Sequence, residues 1–125
     1  MAALNKRILL VDDELPIRKL VTRYLTAAGY AVCAAVDGLD GIAKLRGGLP
    51  DLIISDVNMP RMDGITFVKE AKKLPAYKFT PIIMLTTESE EKKKLEGQQA
   101  GAKAWVVKPF QPAQMLAAVS KLILP

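Results

Sequence analysis

The chain has 125 residues, half of them hydrophobic and a quarter charged, which fits one globular domain with a core of its own and leaves little for a second. It contains no histidine, which excludes Ser-His-Asp and Cys-His triads and histidine-built zinc sites, and its one cysteine excludes an internal disulfide. The net charge of +5 raises nucleic acid as a partner, but Glu88, Glu90, Glu91 and Glu96 interleave with Lys92 to Lys94 and no helix-turn-helix or stacking platform accompanies them, so a solvated charged face is expected, with no nucleic acid and with an acidic protein partner as the alternative.

The N-terminal "MAALNKR" has no apolar signal core. No apolar run approaches the roughly 18 to 20 residues of a membrane span, and a cytoplasmic protein is expected. The first strand reads as "ILLV", Ile8 to Val11. A helical stripe follows at Ile17, Leu20, Val21, Tyr24 and Leu25, with Pro16 suited to its first turn and Gly29 to its stop. The second strand is "AVCAAV", Ala31 to Val36, where Cys33 reads as a small core residue rather than a reactive thiol. Ile42, Ala43 and Leu45 mark a shorter helix ending at Gly47 and Gly48. The third strand is "LIIS", Leu52 to Ser55, followed by a helix through Ile65, Val68, Ala71 and Lys72 that closes near Pro75. "IIML", Ile82 to Leu85, is the fourth strand. Glu90 to Ala100 is the odd helix: Leu95 is nearly its only large apolar residue, Gly97 weakens it, and it is expected to be loosely held. "WVV", Trp105 to Val107, and a last stripe at Met115, Leu116, Val119, Leu122 and Ile123, opened by Pro112, complete the chain. Continuous apolar runs of this length suit strands covered on both faces, and strands alternating with helices imply parallel pairing through right-handed crossovers.

In an open parallel sheet, chemistry gathers beyond the carboxyl ends of the strands. Here Asp12 and Asp13 follow the first strand, Asp56 the third, Thr86 the fourth and Lys108 the fifth. Each has an ordinary reading alone: a helix cap, a turn residue, a surface lysine, a capping loop. If the strands order as 2-1-3-4-5, the first and third are neighbours and Asp12, Asp13 and Asp56 crowd one pocket. Two carboxylates about 4 Å apart repel by roughly 4 kcal/mol at an effective dielectric near 20, so one takes a proton or a cation neutralises the group. Carboxylate, backbone and water oxygens select Mg²⁺ or Mn²⁺, and such an ion accounts for a charged Asp56 at the end of an apolar strand.

The segments "LLVDDE", "IISDVNMPRMDG", "MLTTE" and "WVVKPF" together resemble the receiver domain of two-component response regulators, over nearly the whole chain. The single-domain length is similar to the CheY-like chemotaxis regulators. The resemblance implies an α/β fold, a doubly wound (βα)5 flavodoxin-like three-layer sandwich with a parallel five-stranded sheet in the order 2-1-3-4-5. It also implies one receiver domain over residues 1–125 with no effector domain. Asp56 is then the phosphoacceptor, served by a CheA-like sensor histidine kinase or by small acyl phosphates. Asp13 and Asp56 bind Mg²⁺ directly with the backbone carbonyl of Asn58, Asp12 acts largely through water, and Mn²⁺ is the alternative ion. Thr86 and Lys108 meet the phosphoryl oxygens, while Asn58 and Glu88 tune phosphate lifetime. Thr86 and Trp105 make the switch. The fourth helix, fifth strand and fifth helix dock an output protein, for which the flagellar motor switch is a candidate. A signalling protein is implied, one that catalyses only its own phosphorylation and dephosphorylation. "ELPIRKL" is a generic receiver sequence and keeps a non-chemotaxis phosphorelay open beside a chemotaxis role.

Three rivals are weaker. A flavodoxin-like cofactor binder needs a hydroxyl- and glycine-rich loop where "VDDELP" stands and repels anions. An aspartate-nucleophile phosphatase wants an acid where Asn58 stands. A degenerate receiver that binds partners without phosphate would not need all five key side chains.

Overall fold

The computed structural model describes residues 6–48, 50–86 and 91–123. Strands β1 (Arg7–Val11), β2 (Ala31–Ala35), β3 (Leu52–Asp56), β4 (Ile82–Thr86) and β5 (Ala104–Val107) alternate with helices α1 (Leu15–Ala27), α2 (Gly38–Gly47), α3 (Gly64–Lys73), α4 (Glu91–Ala100) and α5 (Pro112–Leu122). All strand pairs are parallel and the sheet order is β2-β1-β3-β4-β5. This is the flavodoxin-like doubly wound fold that the family resemblance implies, with the topological switch point between β1 and β3.

The apolar runs divide between the two faces of the sheet. Ile8, Leu10, Ile54, Ile83, Leu85 and Val106 pack with Val21 and Leu25 of α1 and Met115 and Val119 of α5. Leu9, Val11, Ile53, Ile82 and Met84 pack on the other side with Leu45 of α2 and Phe67, Val68 and Ala71 of α3. Successive strand residues point to opposite faces, so a run buried throughout is what two covered faces demand. β3 and β4 are buried at every residue.

β2 departs from that reading. It is an edge strand paired only with β1, and Ala31 and Cys33 are exposed. Cys33 is therefore not a core residue. An open cavity of about 210 Å³, lined in part by Val32, Cys33 and Lys44, lies beside it, because α2 does not cover the start of the strand. An unanticipated single turn of 3-10 helix at Pro75–Tyr77 stands at the same edge of the sheet, where strands begin, and the buried Tyr77 hydroxyl meets the carbonyls of Leu45 and Gly48.

Helix starts follow side-chain chemistry. Asp37 caps α2 by accepting the Asp40 N–H at 2.9 Å, and Asp63 caps α3 by accepting that of Thr66 at 2.8 Å. Arg61, at a positive φ of 67°, reaches Asp37 at 2.5 Å and ties the β3–α3 loop to the start of α2. Those hydrogen bonds, that of Asp40 first and then that of Arg61, hold the Asp37 carboxyl below its usual range against the opposing effect of burial. In α4, the helix expected to be loosely held, Leu95, the one large apolar side chain among the described ones, is exposed. Among the described residues no helix is long and apolar enough to cross a membrane.

Gly64 sets the approach of α3 to the site. A Cβ there would stand 1.9 Å from the Asp56 carbonyl oxygen. The contact is with backbone, which cannot swing aside, and Gly64 N–H also donates to the Val57 carbonyl at 2.7 Å. Gly64→Ala is expected to cost about 3 kcal/mol of stability, whereas Gly47→Ala, which meets nothing within 4 Å, should be neutral or stabilise slightly. Urea denaturation of the two variants checks the contrast.

Candidate functional site

The carboxyl ends of β1 and β3 are adjacent, with Val11 opposite Ser55 in register. Asp12 therefore emerges beside Asp56. Its backbone N–H continues the ladder to β2 by donating to the Ala35 carbonyl at 3.1 Å. Carboxylate oxygens of Asp12, Asp13, Glu14 and Asp56 lie within 4.8 Å of one another. Asp12 and Asp56 are buried, whereas Asp13 and Glu14 are exposed, so the cluster is closed below by the sheet and open above.

Each buried carboxylate has one oxygen fixed by the backbone. Asp12 Oδ1 accepts the Glu14 N–H and Asp56 Oδ1 accepts the Val57 N–H, both at 2.8 Å. Arg18, one turn into α1, donates from Nη1 to the Asp12 carbonyl at 2.9 Å and pins the acidic loop. Asp56 Oδ2 accepts from Lys108 Nζ at 3.0 Å. The lysine is aimed by its own backbone, whose N–H donates to the Thr86 carbonyl at 2.7 Å, at the end of the β4–β5 pairing. Its ammonium also lies 3.5 Å from Glu14 and 3.9 Å from Asp12 Oδ2.

Charge crowding is legible in proton affinity. Burial first, then the neighbouring Asp56 charge, pushes the Asp12 carboxyl up to about 6, although the Glu14 N–H works against the rise. Burial also raises the Asp56 carboxyl, opposed by the Lys108 hydrogen bond and charge and by the Val57 N–H. Burial alone would lower Lys108, but the hydrogen bond and charge of Asp56, with Asp12 and Glu14, outweigh it and hold the ammonium above its ordinary value.

The donor set fits a hard divalent cation. Asp12 Oδ2 is buried and has no hydrogen-bond partner among the described residues, an orphan that a cation or its water would satisfy. Four carboxylates with a single lysine in hydrogen-bonding contact leave net negative charge for an ion to neutralise.

Of the expected residues, Asp12, Asp13, Asp56 and Lys108 meet in one pocket. Thr86 is buried at the last position of β4, one residue beyond Leu85, which pairs with Asp56. Asn58 is exposed two residues after Asp56. Glu88 lies outside the described residues. Trp105 stands across from Met84 on β5, on the same face of the sheet as Thr86, and its ring lies against Gly97 of α4. Glu14 and Arg18 were not anticipated. Glu14 extends the acidic pair into "DDE", a signal visible in the chain; Arg18 gives no such sign, because its partner is a carbonyl.

Comparison with known proteins agrees with this geometry. A family model described as the response regulator receiver domain matches residues 8–120. The transcriptional regulatory protein ResD of Bacillus subtilis is 40% identical over 117 residues; the match covers 94% of this chain and 48% of ResD, so the chain spans about half of that relative's length. The structure of chemotaxis protein CheY4 of Vibrio cholerae, crystallised at low pH, is 47% identical and superposes with a TM-score of 0.90, covering 94% of this chain and 98% of CheY4. The receiver domain of sensor histidine kinase PA1611 from Pseudomonas aeruginosa PAO1, solved with a magnesium ion coordinated in its active site cleft, is 26% identical with a TM-score of 0.88 over 94% of this chain and 97% of that domain.

Because the folded Asp12 carboxyl binds its proton more tightly than the unfolded one, its contribution to stability is fully present below about pH 4 and is lost as pH rises through about 6. Asp12→Asn, which keeps the acceptor for the Glu14 N–H, should therefore stabilise the chelator-treated protein by about 1–3 kcal/mol at pH 7.5 and not at pH 4. Denaturant unfolding at the two pH values checks this; an equal effect at both would contradict it.

Proposed function

The chain belongs to the response regulator receiver family, and on that premise we propose that it accepts a phosphoryl group on Asp56 from a phosphohistidine of a sensor histidine kinase and signals by a conformational change. One observation carries the reading: at the carboxyl edge of the sheet, the Asp56 carboxylate stands among three other acids with Lys108 Nζ 3.0 Å from its Oδ2. Residues 1–125 are read as one receiver domain, working in the cytoplasm and catalysing only its own phosphorylation and dephosphorylation.

Asp13 and Asp56, with the Asn58 carbonyl, would hold Mg²⁺ directly, and Asp12 would hold it through water; the magnesium in the PA1611 cleft favours that ion over Mn²⁺. Bound there, the ion offsets the carboxylate charges and those of the phosphoryl oxygens. Everything else falls to the chain's own groups. Asp56 is ionised when it attacks, so no general base is needed: a carboxylate oxygen bonds to phosphorus while the bond from phosphorus to the donor imidazole breaks, and the imidazole keeps the electron pair. Lys108 follows the transferred group as a compact charge with rotatable donors. The Thr86 hydroxyl supplies a directed hydrogen bond to a phosphoryl oxygen. Ile53, Ile54 and Val57, all buried, keep water from the acceptor's inner side. Asn58 and Glu88 are read as positioning the water that later hydrolyses the acyl phosphate.

Phosphorylation shifts a population between two conformers, and a shift from mostly inactive to mostly active needs roughly 5.5 kcal/mol of differential stabilisation. Charge-assisted hydrogen bonds from Thr86 and Lys108 together are of that order. Drawing Thr86 inward would let Trp105 follow, and α4, with its exposed Leu95, would yield. The face of α4, β5 and α5 is then the output surface. Identity of 47% to CheY4 favours a chemotaxis output through a CheA-like kinase and a flagellar motor switch. The second reading is a non-chemotaxis phosphorelay, favoured by 40% identity to ResD.

Incubation with Mg²⁺ and acetyl phosphate, followed by intact mass and Trp105 fluorescence, is expected to give a single phosphoryl adduct that is labile at high pH and absent in Asp56→Ala. Lys108→Ala should still take up phosphate but lose the fluorescence response. An adduct that persists in Asp56→Ala would sink the assignment of the acceptor.

A further inference from the structure

Charge is sorted between the two edges of the sheet. Asp12, Asp13, Asp37, Asp56 and Asp63 stand at the carboxyl edge, at strand ends or at the starts of the helices that follow. The opposite edge, where helices end and strands begin, carries Lys6, Arg7, Arg46, Lys78 and Lys103. Its acids among the described residues include Asp51, whose Oδ2 accepts the Arg7 N–H at 2.8 Å, and Glu70 in the last turn of α3, paired with Lys73 at 3.1 Å. Arg7, Arg46, Lys78 and Lys103 are exposed and none of them appears in an ion pair among the described residues.

The same edge presents Phe79, 88% exposed and the most exposed large hydrophobic residue of those described. Lys78 Nζ lies 5.6 Å from its ring centroid. Phe79 borders a groove of about 390 Å³ with Pro50, Pro75 and Tyr77, and Pro75 and Tyr77 border a second of about 550 Å³ with Arg7 and Arg46. The first groove is lined by Asp51 and by no cation, whereas Arg7 and Arg46 wall the second. An exposed aromatic ring next to a basic-walled groove is the composition of a recognition surface, with the ring as anchor and the cations as its rim.

We propose that this edge is a second docking surface, taken by an acidic protein segment that lays an aliphatic or aromatic side chain against Phe79 and its carboxylates along Arg7, Arg46 and Lys78. Charge complementarity selects an acidic partner. The relief selects a peptide: the surface is grooved and offers one apolar anchor, where a bilayer would call for a broad apolar face and single-stranded nucleic acid for successive stacking rings. The surface lies across the sheet from the carboxylate cluster and shares no residue with it, so binding is expected with and without phosphate on Asp56 and the inference stands apart from the reading of that residue.

Fluorescence anisotropy of a labelled synthetic peptide of alternating glutamate and leucine, titrated with the full chain in Mg²⁺, tests it. Saturable binding is expected with and without acetyl phosphate, weakened about tenfold or more by Phe79→Ser and by the Arg7→Glu, Arg46→Glu double variant. Because Phe79 is exposed, its variant should melt with the wild type, which separates lost binding from lost folding. Undiminished affinity in Phe79→Ser would overturn the proposal. So would binding that requires acetyl phosphate, or tighter binding of phosphatidylglycerol vesicles or of an oligonucleotide than of the peptide.

Discussion

Four carboxylates meet at one end of an apolar sheet, and much of that edge answers the charge they bring. The register of β1 against β3 makes the meeting unavoidable, since strands that end level with one another must release their next residues into the same space. Backbone N–H groups of Glu14 and Val57 hold one oxygen of each buried acid, and Lys108 crosses from β5 to hold another. What remains unsatisfied is informative. Asp12 Oδ2, buried and without a hydrogen-bond partner among the described residues, marks where neutralisation is incomplete within the chain itself.

Around that cluster the structure is unevenly fastened. α3 is locked, because Gly64 lets its first turn rest on the backbone of Asp56 and Val57 and its apolar face carries Ile65, Phe67, Val68 and Ala71 into the core. α4 is nearly the opposite. Among the residues whose side chains are described, Gly97 is its one buried position, and what touches it is the Trp105 ring, 2.4 Å from where a Cβ would stand. The buried Trp105 Nε1–H has no acceptor among the described residues, an arrangement that costs about 1–3 kcal/mol. Ala100 also packs against the core at the helix's end, so α4 rests on few apolar contacts, and the Trp105 ring among them faces Met84, two strand positions from Thr86.

How far the chain announced this depended on the kind of interaction. Parallel order and two-faced burial were legible because "LIIS" and "IIML" have no polar alternation, and only a doubly covered strand tolerates that. β2 misled for the same reason: "AVCAAV" has the composition of a central strand, but small residues do not reveal whether a helix covers them, and at the sheet edge Cys33 is left exposed. The acids and Lys108 were legible from position at strand ends. Arg18 was not, since a side chain serving a backbone carbonyl leaves no partner in the sequence. Gly97 reads as a helix weakener by propensity, yet its place is explained by a neighbour on β5 that no local pattern names. Tyr77 likewise owes its burial to the carbonyls of α2's end, far away in the chain.

The same carboxylates that make the edge acidic leave the remainder of a +5 chain strongly basic. The acidic edge is the premise on which the functional reading stands. Thermal melting with increasing Mg²⁺ tests it most directly: the account predicts a saturable rise in melting temperature for the wild type that disappears in Asp13→Asn. A wild type indifferent to Mg²⁺, or a variant that gains as much as the wild type, would contradict it.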